Sequence, residues 1–110
     1  MKYICPVCGY RDLSETPFDE YGKGSFDICP SCGTEFGYRD TVEYLIELGP
    51  IHSKFRKKWI KNGMRWHSSF HSPPKNWDPS RQLENLVFVQ EEKYPANYEF
   101  PNTTEPNSEK

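Results

Sequence analysis

Cys5-Pro6-Val7-Cys8-Gly9 returns later in the chain as Cys29-Pro30-Ser31-Cys32-Gly33, and these hold all four cysteines. The two-residue gap within each pair lets two thiolates reach one tetrahedral ion at about 2.3 Å. The twenty residues between the pairs fit the spacing of four-cysteine zinc sites. Proline after the first cysteine of each pair fixes φ and removes an amide donor, while glycine after the second can take the positive φ that closes the turn. The remaining turn amides can then point at sulfur. Cys5, Cys8, Cys29 and Cys32 are therefore the expected ligands of one structural zinc ion per chain. The rivals are a disulfide framework and a thioredoxin-like redox pair, but the redox motif belongs to a βαβ unit and no such pattern is legible.

At 110 residues and 35% hydrophobic, the chain has apolar material for one modest core, with part of its folding free energy expected from the ion. Met1-Lys2-Tyr3-Ile4 runs straight into the first knuckle without the pattern of a signal peptide, and no apolar run approaches a membrane span. A cytoplasmic setting, where thiolates stay reduced, is the expectation. Charge is segregated. Residues 1 to 50 carry nine acids and four bases, residues 51 to 77 seven bases and no acid, and residues 78 to 110 seven acids and three bases. Such asymmetry speaks of partners rather than of fold.

The expected fold class is α+β, an N-terminal zinc ribbon followed by two or three short helices. Met1–Ile4, Tyr10–Leu13, Ser25–Ile28 and Thr34–Tyr38 read as short strands entering and leaving the knuckles. Ser14–Gly24, with Pro17, two glycines and three acids, reads as an exposed acidic loop. Asp40 predicts a helix cap, Glu43 completes a capping box, Val42, Leu45, Ile46 and Leu48 form the buried stripe, and Gly49-Pro50 ends the helix. A second helix is predicted from Ile51 or Ser53 to Asn62, stopped by Gly63, with Phe55, Trp59 and Ile60 on its buried face. Asp78-Pro79 starts a third helix, with Leu83, Leu86 and Val87 facing inward. The domain division is residues 1–90 as one unit and 91–110 as an acidic, mostly flexible tail.

The motifs Tyr3-Ile4-Cys5-Pro6-x-Cys8-Gly9-Tyr10, Phe26-Asp27-Ile28-Cys29-Pro30-x-Cys32-Gly33-x-x-Phe36-Gly37-Tyr38 and Arg56-Lys57-Lys58-Trp59-Ile60-x-x-Gly63-Met64-x-Trp66 resemble the bacterial cysteine-rich CPCC-type proteins over roughly residues 3 to 90. That resemblance implies a small zinc-ribbon-like fold, and some members of the group look like immunity genes beside toxin genes. The chain lacks the adjacent Cys-Cys that gives the group its name, so no ligand set wider than four cysteines is implied.

A four-thiolate site leaves no open position for water. No Ser-His-Asp set, phosphate-cradling glycine loop or paired-carboxylate motif is legible, so no enzyme activity, small-molecule substrate or membrane role is expected. The expected function is a protein–protein interaction module, in its sharpest form an immunity-like protein that neutralises a toxin, with Asp19-Glu20-Tyr21 and the 91–99 segment as candidate contacts. The alternative is a nucleic-acid-associated factor using the basic segment 54–65, with Lys54, Arg56, Lys57, Lys58, Lys61 and an aromatic to stack on a base. His67 and His71 stand at i and i+4, but no carboxylate lies between them and the segment lacks helical periodicity, so they read as packing or surface residues.

Overall fold

The two knuckles fold as the same turn. The computed structural model of the chain describes residues 2–19, 21–41 and 47–88, together with the backbone of Glu99–Phe100. In the first knuckle the Cys5 amide donates to the Tyr10 carbonyl at 2.7 Å and the Gly9 amide to the Cys5 carbonyl at 2.9 Å. In the second, the Cys29 amide donates to Thr34 at 2.9 Å and the Gly33 amide to Cys29 at 2.8 Å. The closing glycines have φ of +85° and +83°, as a left-handed turn requires.

The hairpins that carry these turns are shorter than expected. Tyr3 bridges Leu13 and Ile28 bridges Glu35, each as an isolated antiparallel bridge rather than a ladder. The knuckle turns use the nearby amides and the prolines offer none, so the pairing ends after one rung. The described two-stranded sheet joins β1 (Lys2–Tyr3) to β2 (Glu99–Phe100) with Lys2 opposite Phe100 and Tyr3 opposite Glu99. Two residues of the expected tail thus return to the N-terminal strand.

The principal helix, α1, spans Leu48–Lys61. It runs through Gly49-Pro50, where a helix end was expected. Pro50 sits in the first turn, where a missing amide costs no intrahelical bond, and Gly49 lacks the Cβ that clashes with a following proline ring. The predicted stripe over Val42, Leu45 and Ile46 lies outside the described residues. The stop at Gly63 is as expected: Met64 N–H donates to Trp59 at 2.9 Å and Gly63 N–H to Ile60 at 3.0 Å, with φ of +98° at Gly63. These bonds form a Schellman cap. The helix turns Leu48, His52 and Trp59 inward with Phe55 beside them, whereas Ile60 is exposed. His52 takes the place in the stripe that the sequence reading gave to Ile60.

Helix α2 (Pro79–Leu83) starts where predicted, with Asp78 Oδ1 accepting from the Ser80 amide at 2.9 Å and the Arg81 amide at 3.3 Å. A 3-10 turn, Glu84–Phe88, continues it. Leu83 packs on the core, but Val87 is exposed and Gln82 and Asn85 are buried instead. The acidic loop also differs from expectation. Pro17 and Phe18 are fully buried within it, and Phe18 bridges Gly24.

One core serves the whole described chain. Cys5, Cys8 and Cys29 belong to the same buried cluster as Val7, Leu13, Phe18, Phe36, Leu48 and Trp59, with Phe55, Trp77 and Leu83 packed against it. The knuckles are therefore the centre of the molecule and not a separate lobe.

Candidate metal centre

The paired turns bring Cys5, Cys8, Cys29 and Cys32 together so that their four Sγ atoms lie within 4.8 Å of one another. Across the knuckles, Cys5 Sγ is 3.8 Å from Cys32 Sγ and Cys8 Sγ is 3.7 Å from Cys29 Sγ. A tetrahedron of sulfurs each about 2.3 Å from a central ion has edges of about 3.8 Å, so the cluster is already spaced for a four-coordinate metal. The donor chemistry fits as well: Val7 N–H points at Cys5 Sγ from 3.4 Å, and Thr34 Oγ1 lies 3.2 Å from Cys32 Sγ. Burial pushes the Cys5 and Cys29 thiols well up. Hydrogen bonds from Cys29 and Cys5 hold Cys32 well below the usual thiol range. Cys32 alone among the four is not fully buried.

Side chains distant in sequence hold the first knuckle from outside. Arg56 Nη2 donates to the Pro6 carbonyl at 2.8 Å and Arg56 Nε to Val7 at 2.7 Å. Gln82 Nε2 donates to Cys8 at 3.2 Å, and Asn85 Nδ2 to Gly9 at 3.0 Å. Four successive carbonyls, 6 to 9, thus each accept a side-chain N–H. Gln82 Nε2 also reaches Ser31 Oγ at 2.9 Å, linking the knuckles, while its Oε1 accepts from Trp77 Nε1 at 2.7 Å. The approach is close: a Cβ on Gly9 would stand 2.2 Å from the Gln82 carbonyl oxygen.

The second knuckle is held by backbone. His67 N–H is 3.1 Å from both the Pro30 and Ser31 carbonyls, and Ser68 N–H donates to Pro30 at 2.9 Å. The His67 ring lies against Gly33. His71 is exposed, and its carbonyl accepts from Trp66 Nε1 at 2.6 Å. Neither histidine joins a metal-competent cluster among the described residues. Trp66 stands edge-on to Tyr10 and to Trp77, with centroids 5.7 Å and 5.2 Å away. Burial, then the Asp12 charge, raises the Tyr10 phenol.

Arg56 corrects the expected basic surface, because its guanidinium is bound to the knuckle and is not displayed with the lysines. A buried pair that sequence reasoning missed lies nearby: Asp40 Oδ1 accepts the Gly37 amide at 2.6 Å, and its Oδ2 is 2.5 Å from His52 Nε2, with both side chains fully buried. The helix cap expected of Asp40 falls on the amides of residues 42 and 43, which lie outside the described residues. Phe18 and Phe55 flank the His52 ring at centroid distances of 5.4 Å and 6.1 Å.

Fold and site together define a small protein whose four cysteines, gathered by two matched turns, can hold a metal ion. The chain is similar to YozI of Bacillus subtilis (strain 168), described as uncharacterised, with 40% identity over 76 residues covering 57% of this chain and 60% of that protein. It is likewise 40% identical over 74 residues to YoaQ of the same organism, also described as uncharacterised, covering 56% of this chain and 60% of the relative. The matches thus span about 60% of the length of these relatives. No family model matches the chain, and no solved structure matches it. No helix among the described residues is long and apolar enough to cross a membrane.

Proposed function

We propose that the chain is a CPCC-type, zinc-ribbon-like protein in which Cys5, Cys8, Cys29 and Cys32 hold one structural zinc ion, and that it acts without catalysis as a protein–protein interaction module in the cytoplasm. The observation that carries the metal assignment is the pair of Sγ distances, 3.8 Å and 3.7 Å, between cysteines of opposite knuckles. All-sulfur donors in a tetrahedral arrangement suit zinc, and four protein ligands leave no position for substrate. Metal analysis with thiol titration tests this. One zinc per chain and no disulfide are expected; intramolecular disulfides, or a metal-free chain that is fully folded, overturn it.

The interaction reading is supported by the hairpin that follows the acidic loop. Phe26 and Ile28 are 54% and 53% exposed, and Phe26 sits at a φ of 65°, a conformation that costs a non-glycine residue about 1 kcal/mol or more. Apolar side chains presented from a metal-anchored turn, beside the exposed Asp27, are suited to the core of a protein interface. An immunity-like role is the sharpest form of this proposal. Affinity capture from the native host by wild type and by a Phe26→Ser/Ile28→Ser variant is the test. A partner captured by wild type and lost by the variant is expected, and identical captures overturn the assignment of this hairpin.

A further inference from the structure

Of the basic residues, only some face a common space. A groove of about 530 Å³ opens beside Cys32, between the second knuckle hairpin and α1. On the helix side Phe55, Lys58 and Asn62 line it, positions at i, i+3 and i+7 that share one stripe. Lys54, Lys57 and Lys61 belong to a neighbouring stripe and do not line it. Arg65, from the segment after α1, and Arg39, from the segment after the second hairpin, also line it, with the Arg39 guanidinium 5.7 Å from the centroid of the Tyr38 ring, which lines the groove as well and is 63% exposed. Glu35 is the one carboxylate among the described lining residues, and no ion pair among the described residues engages Arg39, Lys58 or Arg65.

We propose that this groove binds single-stranded nucleic acid, seating one nucleotide with its base on Tyr38 and its two flanking phosphates on Arg39 and on the Lys58–Arg65 pair. The volume lies within the usual range for a site that takes a ligand of nucleotide size. Cations held on two separate elements suit a unit with phosphate on both sides, which is an internal nucleotide of a strand and not a free mononucleotide. The arginine forks suit phosphate oxygens, and an exposed ring beside a cationic groove is the arrangement that accepts unpaired bases. Neither Phe26 nor Ile28 lines the groove.

The test uses the metal-loaded full chain and a fluorescein-labelled oligothymidylate, followed by anisotropy across a salt series. Binding that weakens linearly on a log–log plot is expected. Lys58→Gln/Arg65→Gln should reduce that slope by about 0.7, the share of one phosphate contact on a single strand. Tyr38→Ala should weaken binding roughly five- to a hundredfold with the slope unchanged. Lys54→Gln/Lys57→Gln, off the groove, should change neither. Absence of salt-dependent binding overturns the proposal, as does a groove variant that binds like wild type. Thymidine monophosphate competing as well as the strand also overturns it, and so does a Lys58/Arg65 variant whose only change is weaker metal retention. Because the wild-type salt slope and the competition need no variant, the outcome does not depend on any mutant folding.

Discussion

Arg56 stands among lysines, yet its fork spans two successive carbonyls of the first knuckle, a geometry an ammonium cannot reproduce. Arg56→Lys is predicted to keep one bond at best and to cost about 1–3 kcal/mol, read from chemical denaturation of the metal-loaded chain, while Lys57→Gln on the next position leaves stability unchanged. The Asp40–His52 pair makes a sharper prediction. Removing one partner from a fully buried pair strands the other, so His52→Ala should cost about 3–5 kcal/mol. A His52→Ala chain melting with wild type would show that the pair carries no stability. Gly9 is constrained twice, by its φ of +85° and by the Gln82 carbonyl that an added Cβ would meet at 2.2 Å. Gly9→Ala is therefore expected to destabilise more than the same change at Gly63, whose nearest obstacle is the flexible Arg65 side chain at 3.8 Å. Paired melts check the order.

At the scale of elements, the features legible in the sequence were those whose cause is local. The knuckles, the Asp78-Pro79 start and the Gly63 stop each follow from a few adjacent residues, and each was found. What was not legible depends on partners far along the chain. Gly49-Pro50 has the composition of a helix end, but the same proline is compatible with a first turn, and only the packing of Leu48 and His52 selects that outcome. Phe18 lies in a segment whose glycines and acids mark a loop, and its burial comes from Phe36 and His52. Gln82 and Asn85 gave no signal because their acceptors are 74 and 76 residues away. Pro50 offers a direct check: since the first turn has no acceptor for its missing amide, Pro50→Ala should leave stability within about 0.5–1 kcal/mol of wild type, whereas a proline at an interior position such as Ser53 should cost about 3 kcal/mol or more.

For the described fold as a whole, the four-cysteine cluster and the hydrophobic core are one object, so removal of the proposed ion should not merely loosen the N-terminal third. Structural zinc contributes on the order of 10 kcal/mol or more of apparent binding free energy near neutral pH. Chelation and Cys29→Ser are both predicted to abolish the near-ultraviolet signal of the aromatic cluster around Trp66 and Trp77 in the same step as unfolding of the knuckles. A chelated chain that keeps that signal would mean that the C-terminal half stands alone. Acid should act in the same direction. Cys5 and Cys29 thiols, raised by burial in the metal-free fold, bind protons firmly, and the ion must displace them; metal affinity therefore falls as pH falls, and a dye-release titration from neutral to acidic pH checks the sign. The two knuckles, equal in metal chemistry, differ in how much sequence freedom they leave to the rest of the chain. The first is supported by the side chains of Arg56, Gln82 and Asn85, so those three positions are tied to their residue types. Apart from the Gln82 link to Ser31, the second is supported by the main-chain amides of His67 and Ser68, which any residue but proline supplies. A saturation-mutagenesis scan of folding should accordingly show narrow tolerance at 56, 82 and 85 and, at 68, the sharpest loss with proline and a smaller one wherever the hydroxyl that accepts the Phe70 and His71 amides is removed: the two halves of a symmetric motif would diverge at different rates.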